Sequence, residues 1–246
     1  DVAGAVTVGS GATLSVDGLA TLRSTAGFNN ATFTFGTCDI VGAATFSATS
    51  SATGTSGDFQ STLSLDNSSL STSGALDITG DVSITSGGSL SIGDSSVLRA
   101  DVGVSGGSSL TITTATFQGA TTVGASDSVS GTTATFTSSL PQIATGGTYT
   151  VTTTKVSGNI AMSDDVTLPG SADLSIEEGN SLRLNGHRLE IGGDLFVEIS
   201  NTANDGLRMT NANDVMVVGG DATFSSHTHN YSSTSEGNFT AGEIYF

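Results

Sequence analysis

The 246-residue chain has no tryptophan, one cysteine, two prolines and only six lysines and arginines. Each scarcity excludes something. With 36% hydrophobic residues and no tryptophan, it cannot build a wide core of large side chains. A narrow core of Leu, Ile, Val, Phe and Ala stacked along one axis needs less apolar material per residue. A single cysteine, Cys38, rules out an intrachain disulfide and reads as a small buried hydrophobe. So few prolines, with β-branched residues throughout, argue against disorder despite the low complexity. Six cations against 23 acids give a net charge of −17. That excludes nucleic acid, whose phosphates need clustered cations, and anionic membrane surfaces. It suits a protein that stays soluble in salt or recruits divalent cations. No run approaches the ~18 apolar residues of a membrane span, and no signal-like run or helix-period stripe is present.

What is present is a repeat. Between Gly74 and Ile112, apolar pairs one residue apart recur every few residues: Leu76/Ile78, Val82/Ile84, Leu90/Ile92, Val102/Val104 and Leu110/Ile112, with Val97 alone. Such alternation sends both apolar side chains to one face of a strand. The pattern returns to phase after about 20 residues, from Leu76 to Val97, Val82 to Val102 and Leu90 to Leu110, as it must where each coil lies on the next in register. The predicted fold is all-β: a right-handed parallel β-solenoid (β-helix), three-sided, with about 20 residues per coil. One solenoid over 1–246 is expected, with a Ser/Thr/Gly/Ala-rich zone at 1–148 and a more charged, better-packed zone at 149–246, because the pair spacing does not change between them.

Local departures qualify the pattern. Residues 48–57 hold no large apolar side chain and read as a loop off the solenoid or a weak coil filled by Ala and Thr. LPQIATGG at 140–147 reads as a corner loop or minor boundary. Asn29 and Asn30 fall where a coil turns, where Asn can form amide ladders or serve as plain turn residues. A cell of Gly, Asp or Asn, then an apolar residue recurs at 80–82, 158–160, 193–195, 220–222 and 237–239, with the polar side chain capping the turn. Neither DVAGAVTV at the start nor AGEIYF at the end reads as a cap, so the ends are expected to pair with neighbouring copies or with further solenoid. The start at Asp1, without an initiator Met, suggests a processed product or an excised segment.

The cells GDVSI, GGSLSI, GNSLRL and GGDLFVEI resemble the β-helix repeats of bacterial surface proteins, namely autotransporter passengers, filamentous-haemagglutinin-like adhesins and long β-strand-repeat proteins. The resemblance covers nearly the whole chain. It implies export, a right-handed β-helix and adhesive or structural roles without catalysis, and carries no binding motif onto any residue here. Ser/Thr/Gly-rich solenoids poor in Lys and Cys are typically exported, so an extracellular or cell-surface location is expected.

Candidate chemistry is sparse. Asp164, Asp165, Glu177 and Glu178 could hold Ca²⁺ opportunistically, though they read equally as solvated charge, and no dedicated calcium repeat is present. His227 and His229, spaced to share one strand face, could bind a transition metal with Asp221 or Glu236, or sit in a polar loop. No catalytic motif and no required cofactor is evident. The sequons at Asn30, Asn67, Asn230 and Asn238 allow glycosylation without indicating it. Outward threonines at 110–117 and 150–155 invite an ice-binding reading, but irregular coils are expected to break any lattice between them. The functional expectation is a non-catalytic structural rod that stacks end to end into a surface fibre, with Val6, Val8, Ile244 and Phe246 at its assembly edges. The alternative is a stalk or passenger segment of a longer adhesin that binds glycans or proteins. Partners would be copies of the chain head to tail, further solenoid or a glycan, with no membrane insertion.

Overall fold

The computed structural model describes residues 1–9, 11–199, 206–226 and 241–246. It is a β-solenoid of about ten turns, all strands parallel, with no helix among the described residues. In the first part each turn has one short strand and one long, bent one. The short strands, beginning with Val6–Gly9, Ala26–Asn29 and Ala44–Ser47, form an eight-stranded sheet ending at Gln142–Ile143. The long strands, beginning with Thr13–Leu22 and Thr32–Ile40, form a second sheet that continues to Ala222–Ser226. The bend splits each long strand into two arms, so the cross-section has three sides. Where the bend fails to hold, the two arms become separate strands, Ser69–Thr72 and Leu76–Ile78.

Register is kept by stacking like on like. Val82 pairs with Val102 and Leu90 with Leu110, as the period predicts. Val97 does not join the core: a register shift between Ile92 and Ser95 turns it outward, opposite Asp77, and puts Leu98 inside on Ile78. A one-residue slip exchanges the faces of a strand, which is why the pair pattern misplaced it. Aromatic rings stack along the axis, Phe28 on Phe46 at 4.7 Å and Phe117 on Phe136 at 4.9 Å. Residues 48–57 are a coil, not a loop: Ser51–Phe59 pairs in register with Thr32–Ile40. The Phe35 ring fills the space over Gly54, where a Cβ would stand 2.0 Å from it. An apolar residue one coil away thus packs a coil that lacks its own.

Corners repeat too. Asn30 and Asn67 turn in the left-handed region, both at φ 47°, and Asn30 Oδ1 accepts from Thr49 Oγ1 at 3.4 Å. Asn29 donates to Ser47 Oγ at 3.2 Å, so these contacts join Asn to hydroxyls and not to other amides. The aspartates of the Gly-Asp cells reach across coils: Asp81 Oδ1 accepts from the Asp101 N–H at 3.2 Å, and Asp194 Oδ1 from the Asp221 N–H at 2.8 Å. They cap the following coil, not their own turn.

The step from one coil to the next, expected at about 20 residues, lengthens along the chain. Val6 pairs with Ala26, a step of 20 residues, and Ala26 with Ala44, a step of 18. Later Val166 pairs with Leu189, a step of 23, Leu189 with Met216, a step of 27, and Met216 with Ile244, a step of 28. The first arm ends at Thr148–Val151, and only the second arm continues, from Thr153–Val156 onto Asp173–Ile176. Two new sheets complete the triangle: Asn159–Ala161, Ser181–Arg183 and Gly206–Arg208 in one, Val166–Leu168 to Glu243–Tyr245 in the other. The two ends of the rod therefore differ in outline.

Candidate functional site

The outward side of the first arm is a hydroxyl lattice. One column reads Thr13, Thr32, Ser51, Ser69, Ser89, Ser109, Ser128 and Thr148. The column two residues on reads Ser15, Thr34, Thr53, Ser71, Ser91, Thr111, Ser130 and Thr150. The inward neighbours are apolar because they fill the core, and the outward ones are hydroxylic because an exposed strand selects them. Rungs about 4.8 Å apart and side chains about 6.7 Å apart along each strand give a two-dimensional array without charge. Neighbouring rungs bond directly: Thr34 Oγ1 donates to Ser15 Oγ at 2.9 Å, and Thr111 and Ser130 lie 3.2 Å apart. The array is unbroken over eight coils, so the expected interruption by irregular coils does not occur.

Beside it, on the second arm, three carboxylates stand on successive rungs: Asp39 opposite Asp58, and Asp58 opposite Asp77. They line a surface groove of about 490 Å³ with Leu19, Ser56 and Val97. The outer two are engaged. Gln60 donates to Asp39 at 2.8 Å, and Arg99 binds Asp77 through two bonds of 3.0 and 2.6 Å. Asp58, between them, has its pKa raised, first by partial burial and then by the charges of Asp77 and Asp39, with Arg99 opposing. The sequence did carry a signal: Asp-Ile, Asp-Phe and Asp-Ile at 39–40, 58–59 and 77–78, each 19 residues after the last. These aspartates stand outside the apolar pattern that marks the coil period.

The residues predicted as sites are dispersed. Glu177 pairs with Lys155 at 2.7 Å. Asp165 accepts the Arg188 N–H at 2.8 Å, with His187 Nδ1 at 3.5 Å, while Asp164 accepts from Ser163 at 3.2 Å. Glu178 lies in the turn after Asp173–Ile176. Among the described residues no three His, Cys, Asp or Glu side chains gather where a metal ion could be held. His227, His229, Glu236, Asn230 and Asn238 lie outside the described residues. Cys38 is buried, and burial, with help from Asp39 and Asp58, pushes its thiol up to about 12.

The edges are as follows. Val6 and Val8 sit on the first rung, opposite Ala26 and Phe28. With Leu14 and Val16 they are only partly buried, whereas Phe28 and Phe33 one rung in are 1% and 0% exposed. Val2 forms an isolated parallel bridge to Leu22, and Arg23 holds Asp1 at 2.7 Å. At the other end Ile244 lies on Met216, Tyr245 is half exposed and Phe246 is 81% exposed. A shallow cleft of about 360 Å³ there is lined by Arg188, Val215, Val217, Glu243 and Tyr245. Compared with known proteins, the chain finds no match: no family model, no curated protein and no solved structure.

Proposed function

We propose that the chain is a non-catalytic extracellular structural element, a rigid acidic rod extended through its open strand edges. The supporting observation is the first rung, where Val6, Val8, Leu14 and Val16 leave a core end part-covered beside backbone edges that no described strand occupies, apart from the bridge at Val2. Such an edge is a template for a parallel strand, from another copy in a fibre or from further solenoid in a longer surface adhesin. The unequal outlines of the two ends favour further solenoid of the 18–20-residue kind over the chain's own far end. Light scattering after size exclusion and negative-stain microscopy test this. Val6 N–H bonds inward to Thr25 O at 3.0 Å, so Thr7 N–H faces the open edge, and fibres of solenoid width that vanish in Thr7→Pro support pairing between copies. A monodisperse monomer removes that form and leaves continuation in a longer polypeptide. Slow hydrogen exchange of every amide in Val6–Gly9 in that monomer would overturn both, since the edge would already be covered.

The hydroxyl lattice favours a second reading, adsorption to ice, whose surface is likewise a flat, uncharged, periodic array of hydrogen-bonding groups. Seven of its sixteen positions are Thr, which adds a methyl beside each hydroxyl. Inhibition of ice recrystallisation that is lost in Thr53→Lys would support it. No effect of the intact chain on ice growth would refute it.

A further inference from the structure

Asp39, Asp58 and Asp77 project from one position of three stacked rungs, about 4.8 Å apart, so each carboxylate meets a like charge at close range. The charged groups facing Asp58 are Asp39 on the rung before, Asp77 on the rung after, and Arg99 beyond Asp77. Arg99 is committed to Asp77 and Gln60 to Asp39, which leaves the central carboxylate with two like charges. The column continues into Thr21 on one side and Val97 on the other, neither charged, and the Cys38 thiol behind it stays neutral.

We propose that this column is an acid-responsive clamp: at neutral pH repulsion across the three rungs loosens the second to fourth coils, and protonation of Asp58 tightens them. The protonated carboxyl becomes a donor, and Asp39 or Asp77 on the adjacent rung is the acceptor. The raised pKa of Asp58 gives the direction of the linkage. An acid that holds its proton more firmly folded than unfolded subtracts stability once ionised, and returns it as pH falls through the folded value toward the ordinary carboxylate range. A rod exposed outside the cell would thus hold these coils more firmly in acid surroundings.

The test uses the full chain. Urea midpoints are measured from pH 7 to pH 4 for the wild type, Asp58→Asn and Asp58→Ser, with the Asp58 carboxyl carbon followed by NMR. Both variants should have a higher midpoint than the wild type at pH 7, and the gap should close as pH falls. The Asp58 resonance should titrate above the ordinary carboxylate range, and return toward it when Asp39 is changed to Asn. Equal midpoints at pH 7, a gap unchanged across the range, or an ordinary titration of Asp58 would each overturn the proposal.

Discussion

Replacing Phe46 by alanine probes whether neighbouring coils stabilise one another through stacked side chains. Phe46 is fully buried, lies on Phe28 at 4.7 Å with rings 4° from parallel, and is followed one rung on by Leu65. Truncating a buried Phe costs about 3–5 kcal/mol, and the upper end applies where surrounding walls cannot collapse. Here the walls are held by main-chain ladders on both sides, so about 4–5 kcal/mol is expected. Phe46→Leu, which places the next rung's residue type at this position, should cost only about 1–2 kcal/mol, much of it the lost ring stacking. Urea unfolding by circular dichroism gives both values, with hydrogen exchange as a positional readout. In a repeat protein each coil contacts only its neighbours, so Phe46→Ala should release the first two coils before the rest. A loss below about 1 kcal/mol, or a leucine variant as weak as the alanine one, would refute the coupling.

At the corner after the second arm, a Cβ on Gly119 would stand 2.3 Å from the Ala100 backbone. Gly119→Ala should therefore destabilise by about 1–3 kcal/mol in chemical denaturation. Gly103→Ala, whose new Cβ meets nothing closer than Thr122 Oγ1 at 3.7 Å, should be neutral or mildly stabilising. The Cys38 thiol, held neutral by burial up to about 12, should not react with a thiol reagent at pH 8 until the chain is unfolded, and native labelling would contradict its placement.

The parallel solenoid was legible because its period is written in residues that must be buried. Val82 and Val102, or Leu90 and Leu110, recur because each sits on the other. What escaped was written in outward residues or depended on a neighbouring coil. Val97 was misassigned because the register shift before it leaves no mark in the apolar pattern. Residues 48–57 resembled a loop because the Phe35 ring that packs them belongs to the previous coil. The lengthening of the later coils was missed because the pairs themselves stay regular while the connections between them grow. The carboxylate column and the hydroxyl lattice became visible only once the rungs were aligned, since Ser, Thr and Asp are as common in turns as on an exposed strand.

Every ladder among the described residues runs parallel, and its hydrogen bonds point along the long axis. A pull on the two ends therefore loads one rung at a time, like a zipper, and never a whole sheet in shear. Each 20-residue coil that peels away shortens the stack by about 4.8 Å and pays out about 66 Å of extended chain. The later coils, at 27 and 28 residues, release roughly 90 Å each. In a force spectrum the molecule behaves as a tether with stored slack, yielding in many small steps instead of one rupture.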